Sequence, residues 1–260
     1  MNRPRIIALL LLKEDGLVKT VGFNKKKAKY IGDPINAVRI FNDLYADELV
    51  FLDIEATKKS SVINLELVKK IGDEAFMPFA IGGGITSLEE VDDILKYGAE
   101  KVVINSSIMG NLNLVKEISR KYGSQSIIGS IDVKKDIFGK KRVYTQAGRK
   151  KVKRDILDIL QLFENAGVGE IMIQSIDNDG KMKGYDIDLV KLVSENTSLP
   201  VIAVGGCGSL NDMLEVVDKG KADAVAAGSM FVYQGPRNAV LINYPPKKVI
   251  RTKFVKKDEM

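Results

Sequence analysis

Along the 260-residue chain, short continuous apolar runs alternate with stretches whose apolar positions recur every three to four residues. The runs are Arg5–Leu12, Glu48–Asp53, Phe76–Ile81, Lys101–Asn105, Ser126–Val133, Glu170–Ser175, Pro200–Val204 and Ala222–Ala227. Continuous apolarity marks strands buried on both faces, as in a parallel sheet. The stretches between them carry helix start signals. Asp33 stands before Pro34, Ser87–Glu90 reads as a capping box, Asn111 can cap the following helix, and Ser209–Asp212 repeats the box. Eight strand–helix units predict an α/β chain folded as one closed (β/α)8 TIM barrel over residues 1–260.

The chain also repeats itself. Ile81-Gly82-Gly83-Gly84 returns as Val204-Gly205-Gly206-Cys207 at an offset of 123, and Asp47-Glu48-Leu49-Val50 returns as Gly169-Glu170-Ile171-Met172 at 122. A constant offset near half the length predicts two homologous half-barrels, about 1–122 and 123–244, with a basic tail at 245–260. Gln234-Gly235-Pro236 and Asn243-Tyr244-Pro245-Pro246 stand where a final helix is expected. Prolines forbid a long helix there, so the last helix is read as degenerate.

Composition narrows the chemistry. With no His and a single Cys, the chain has no Ser-His-Asp triad, no His-ligated zinc, no internal disulfide and no CxxC site. Proton transfer falls to carboxylates, Lys, Tyr or Cys207. No metal or cofactor is expected. Ile6–Leu12 is too short for a signal peptide and lacks a cleavage site. No run approaches the roughly 18 residues that span a bilayer, so a cytoplasmic protein with no membrane partner is expected. The net charge of +6 favours anionic partners. Aromatic residues are not interleaved with the basic stretches Lys25–Lys27, Lys134–Arg142, Arg149–Arg154 and Lys247–Lys257, which argues against nucleic acid. The first three stretches follow strand ends one and five, where they would draw an anionic substrate towards the barrel mouth.

In such barrels the chemistry sits at the C-terminal ends of the strands. Gly82-Gly83-Gly84 ends the third strand and Asn105-Ser106-Ser107 the fourth, and the second half offers Gly205-Gly206 and Gly228-Ser229 with Asp179-Gly180 nearby. Glycines let a phosphate approach backbone N–H groups closely. Their duplication on one face predicts two phosphate sites and a long substrate charged at both ends. Asp53, Asp132 and either Asp177 or Asp179 are the acids available at this mouth. Asp132 lies inside an otherwise apolar strand, where an unpaired carboxylate is costly. At the opposite face Arg5, Glu48, Lys101 and Glu170 begin strands one, two, four and six. Their balanced charges are consistent with a structural salt-bridge layer closing the barrel floor.

Together these residues resemble the cyclase subunit of imidazole glycerol phosphate synthase, a histidine-pathway barrel of two halves. The resemblance runs from about Arg5 to Phe231 and is carried by Arg5-Ile6-Ile7-Ala8, Gly32-Asp33-Pro34, Glu48–Ile54, Gly82–Ile85, Gly123-Ser124-Gln125, and Ser175–Gly180 with Gly184-Tyr185-Asp186. It implies a glutaminase partner on the N-terminal face, whose ammonia crosses the barrel to a bis-phosphate substrate. Arg5, Glu48, Lys101 and Glu170 would then be the charged gate. Lys19 would lie on a mobile loop after strand one, with Asp132 and Lys19 in the catalytic centre. Gly83, Gly84, Asn105, Ser106 and Asp53 would bind one part of the substrate, and Asp179, Gly180, Gly205, Gly206, Gly228 and Ser229 the other.

The chain departs from that family at one decisive place. The family pairs an aspartate on strand one with one on strand five, and the strand-one position here is Leu11. Losing one member of an acid–base pair typically forfeits about 10² to 10⁴ in rate. Gln174 and Ala147 also replace an expected Thr and Ser. Leu10–Lys13, Thr20-Val21, Gly32–Phe41 and Asn243-Tyr244-Pro245 are similar to the cyclase-like paralogs linked to acetamidino modification of surface-polysaccharide sugars. That branch implies ammonia delivery, a nucleotide-linked or phosphate-bearing substrate and an amidotransferase-type ligase as a further partner. The alternatives are a histidine-pathway cyclase that tolerates Leu11 and a non-catalytic scaffold for a glutaminase.

Overall fold

Eight parallel strands close on themselves in the computed structural model, which describes residues 3–59, 61–106 and 110–254. They are β1 (Arg5–Lys13), β2 (Glu48–Asp53), β3 (Phe79–Gly82), β4 (Lys101–Ile104), β5 (Ile127–Lys135), β6 (Glu170–Ser175), β7 (Val201–Val204) and β8 (Ala224–Ala227). Each pairs with its successor. The ring shuts where β8 pairs with β1 in the register Arg5↔Ala224 to Ala8↔Ala227. The fold is therefore a (β/α)8 barrel, as the run pattern predicts.

Strand pleating sorts the side chains. Ile7, Leu9 and Leu11 pack with Val50, Ala80, Val103, Ile128, Met172, Ile202, Val204, Ala224 and Ala226 in an inner core. Ile6, Ala8, Leu10 and Leu12 join the larger core between strands and helices. This alternation has a period of two, as a pleat dictates. The helices of eight or more residues between successive strands are α1 (Pro34–Asp43), α2 (Leu65–Glu74), α3 (Leu88–Lys96), α4 (Leu112–Tyr122), α5 (Ile156–Ala166), α6 (Ile187–Ser194) and α7 (Leu210–Asp218). Asp33 caps α1 by accepting from the Asn36 N–H, and Asn111 caps α4 by accepting from Leu114 N–H. Both anticipated capping boxes form, Ser87 with Glu90 and Ser209 with Asp212.

Two expectations need correction. The basic segment from 245 is not a plain tail, because α8 (Lys247–Phe254) starts directly after Pro246 and buries Ile250. Proline is compatible with a helix start though not with its interior, so the final helix is short and late. Residues 255–260 of that tail lie outside the described residues, as does Ser107. Next, Lys19 is not on an open loop. It ends the strand Gly16–Lys19, which pairs antiparallel with β1 and is itself covered by the strand Lys29–Gly32. The Lys134–Arg142 stretch spans the hairpin between β5 and the strand Lys141–Thr145, and Lys150-Lys151 of the Arg149–Arg154 stretch pairs back onto that strand.

Tyr244 fastens the C-terminal segment to the barrel floor. Its hydroxyl donates to the Ile6 carbonyl at 2.7 Å and accepts from the Asp47 N–H at 3.1 Å, while its ring packs on Phe41 and Phe231. Among the described residues no helix is long and apolar enough to cross a membrane, and no group of three or more His, Cys, Asp or Glu side chains is arranged to hold a metal ion.

Candidate active site at the barrel mouth

The strand ends bring six of the anticipated residues around one cavity of about 420 Å³. Its walls include Leu11, Asp53, Gly83, Gly84, Asn105, Ser106 and Asp132. Gly83 and Gly84 have φ of +125° and +71°, conformations that favour glycine. A Cβ on Gly84 would also run into the Ser61 carbonyl oxygen. Asp53 is partly engaged as a local cap, since its Oδ1 accepts from the N–H groups of Glu55 and Ala56 at 2.7 and 3.1 Å.

Asp132 is 7% exposed. Burial pushes its carboxyl up to about 7, with Asn105 acting in the opposite direction and the Asp179 charge adding to the rise. A carboxyl with that pKa can exchange a proton near neutral pH, which is what general acid–base work needs. The other two acids considered are occupied elsewhere. Asp177 accepts from the Lys135 N–H at 2.7 Å, and Asp179 feels the Lys19 charge and accepts from the Phe23 N–H.

Gly180, Gly205, Gly206, Gly228 and Ser229 also come together, but around a much smaller cavity of about 20 Å³ that they share with Lys19 and Asp179. Lys19 is 5% exposed and its Nζ donates to the Leu9 carbonyl at 3.0 Å. Burial lowers its ammonium to about 8, against the pull of Asp179. A Cβ on Gly228 would collide with Lys19 Nζ. The duplicated glycines are therefore not equivalent in space, since one cluster opens on the large cavity and the other is filled.

At the far end of the barrel the four charged residues form a closed ring. Arg5 donates to Glu48 and Glu170 at 2.6 and 2.8 Å, and Lys101 donates to the same two carboxylates at 3.3 and 3.0 Å. Burial holds the Glu48 carboxyl above the usual range despite Lys101 and Arg5. For Glu170 burial also acts upward, but the Arg5 hydrogen bond and the Lys101 charge outweigh it and keep the carboxyl low.

A match to the family described as histidine biosynthesis protein covers residues 5–236. The chain belongs to that family. It is 48% identical over 245 residues to a Pseudomonas aeruginosa protein carrying the provisional name imidazole glycerol phosphate synthase subunit hisF2, covering 94% of this chain and 97% of that one. A Vibrio vulnificus protein provisionally named as subunit hisF3 is 44% identical, over 94% of each chain. The subunit HisF of Alkaliphilus metalliredigens is 40% identical, over 90% of this chain and 92% of its own.

In this member of the histidine biosynthesis protein family, several mouth residues carry no individual signal in the sequence. Lys25 and Arg149 line the large cavity, as do Ser130 and Gln146. The cations belong to basic stretches already placed after strand ends, but nothing local marks which cation turns inward. Ser130 was legible in principle, because it lies two residues before Asp132 and shares its face of the strand.

Proposed function

We propose that this chain is the ammonia-accepting subunit of a glutamine-dependent amidotransferase system, with a glutaminase bound at the N-terminal face. The observation that carries the reading is the coexistence of an intact Arg5–Glu48–Lys101–Glu170 ring with Leu11 at the mouth. Above the ring the barrel interior is apolar. Such a lining admits neutral ammonia far more readily than ammonium, whose desolvation is costly. Arg5 and Lys101 would have to part from their carboxylates to open the way.

The mouth then receives the nitrogen. Phosphate of the acceptor would sit against Gly83, Gly84, Asn105 and Ser106, where backbone N–H groups and small hydroxyl and amide side chains accommodate an anion. With Leu11 in place of a second acid, the acceptor belongs with nucleotide-linked sugars that gain an amidino nitrogen, and an amidotransferase-type ligase is the fitting further partner. Identity of 48% and 44% to proteins named hisF2 and hisF3, against 40% to the Alkaliphilus HisF, is compatible with a place among numbered paralogs of that subunit.

One observation favours a second reading, closure of the imidazole ring in histidine biosynthesis. Asp132 is kept, buried and poised near neutrality, and an acid of that kind suits a cyclase. The deciding experiment supplies the purified chain with ammonium salt and the bis-phosphate intermediate of that pathway. The proposal expects no turnover from ammonium, together with stimulation of a glutaminase partner when the two are mixed. Turnover at an ordinary enzymatic rate overturns it in favour of the cyclase.

A further inference from the structure

A half-barrel repeat predicts two equal anion cradles facing one another, yet the two sides of this mouth offer very different room. The Gly205–Gly206–Gly228 side has about 20 Å³, enough for about one water. Its space over Gly228 is taken by the Lys19 side chain, whose Nζ is bonded to the Leu9 carbonyl at 3.0 Å. That lysine is held from behind. Lys19 pairs with Lys29 and its neighbour Val18 with Leu11, so a three-stranded sheet fixes the backbone carrying the side chain. An anion seeking this cradle has to extract a buried side chain from a paired strand.

On the Gly83–Gly84 side the cavity is about 420 Å³, and two cations reach it, Lys25 and Arg149. They are close enough that Arg149, after burial, lowers the Lys25 ammonium. Arg149 is tied to the cradle by a short relay. Its Nε donates to the Gln146 carbonyl at 2.9 Å, the Gln146 N–H donates to Ser106 Oγ at 3.0 Å, and Ser106 Oγ donates to Asn105 at 3.2 Å. The rest of the wall is mixed, with an apolar part at Leu11, Leu52 and Val103 and the carboxyl groups of Asp53 and Asp132 beside it.

We infer that the mouth takes a ligand with two adjacent phosphates at one end, a diphosphate ester, rather than one with a phosphate at each end. One phosphate lies at Gly84 and Ser106, and its neighbour meets Lys25 and Arg149. The uncharged remainder rests on the wall of Leu11, Leu52 and Val103. This inference rests on the reading above that the Gly83–Gly84 corner holds phosphate, and it adds the ligand class.

Isothermal titration of the whole chain tests it with four probes: inorganic phosphate, pyrophosphate, the bis-phosphate histidine intermediate, and the aminoimidazole carboxamide ribonucleotide that carries only one of its phosphates. Pyrophosphate is expected to bind at least tenfold tighter than phosphate, and Arg149→Gln to abolish that difference while leaving phosphate affinity within twofold. The bis-phosphate and the mono-phosphate are expected to bind the wild type equally. Lys19→Ala, by emptying the second cradle, is expected to make the bis-phosphate at least tenfold tighter than the mono-phosphate. A tenfold preference for the bis-phosphate already in the wild type overturns the inference while leaving the phosphate corner intact. No binding of phosphate or pyrophosphate overturns the inference and the phosphate corner together, without touching the glutaminase reading. Should Lys19→Ala not fold, the wild-type comparison and Arg149→Gln decide the matter.

Discussion

Leu11 on β1 and Asp132 on β5 occupy matching places in the two halves of the repeat and line the same cavity at the barrel mouth. Where two carboxylates would face one another, one side is apolar. Leu11→Asp tests what that exchange decided. Leu11 is buried, so a charged replacement is expected to cost about 2–4 kcal/mol near neutral pH, from lost packing and desolvation. Chemical denaturation reads this loss. In exchange, ammonium-dependent conversion of the bis-phosphate intermediate is expected to appear where the wild type shows none, at least about 10² above the detection limit set by the wild type. Unchanged conversion in a folded variant would show that Leu11 is not what separates this chain from a cyclase.

Asp132→Asn should alter the pH dependence of stability in a definite direction. The folded carboxyl titrates near 7 and the unfolded one near the ordinary value of about 4. Between those limits the folded state holds the extra proton, so wild-type stability falls as pH rises through the window. The asparagine variant lacks this slope. Its stability relative to wild type is expected to climb from pH 4 to pH 8 by up to about 4 kcal/mol, at roughly 1.4 kcal/mol per pKa unit. Urea midpoints taken at unit pH steps would show a parallel pair of curves if Asp132 were not buried as a carboxylic acid.

The floor ring is tested by Glu48→Ala. Glu48 is 2% exposed and accepts from both Arg5 and Lys101. Removing it leaves two cations sharing Glu170, and breaking such a buried network typically costs about 3–5 kcal/mol. Glu48→Gln keeps the shape and one acceptor oxygen but turns an amide NH2 towards the other cation, and is expected to lose less than Glu48→Ala. If the ring gates ammonia, the glutamine variant uncouples glutamine hydrolysis from nitrogen transfer while the response to added ammonium is retained. Equal stability of the alanine variant and the wild type would mean that the ring is not a structural closure.

Tyr244→Phe isolates one contact of the C-terminal segment. The hydroxyl is the part of Tyr244 that bonds to Ile6 and Asp47, and the ring contacts with Phe41 and Phe231 survive the change. Leaving buried polar partners unsatisfied is expected to cost about 1–3 kcal/mol. A thermal melt with no shift would assign the fastening of this segment to the aromatic packing instead.

Much of this molecule is written locally. Continuous apolar runs locate all eight strands to within three residues at either end, because a strand buried on both faces has no polar face to show. Pleating has a period of two, so the runs also declare which residues look along the barrel axis: Arg5, Glu48, Lys101 and Glu170 at the floor, Asp132 and Leu11 at the mouth. Ser87 and Ser209 announce their helices for the same kind of reason, since a cap is satisfied within three residues of itself.

Lys19, Arg149 and the last helix are decided differently. Nothing near Lys19 marks it for burial. Its place is set by Leu9 across a hairpin and by Asp179 and Gly228 far along the chain. The two glycine clusters are alike as strings, and only the side chain that the fold lays across one of them makes it a filled corner instead of an open one. Likewise the prolines at 245 and 246 read as the end of regular structure until Ile250 finds the core and a helix forms behind them. Periodicity and caps are short-range properties carried by neighbouring residues. Which cavity stays empty depends on contacts between distant segments, and those exist only once the barrel has closed.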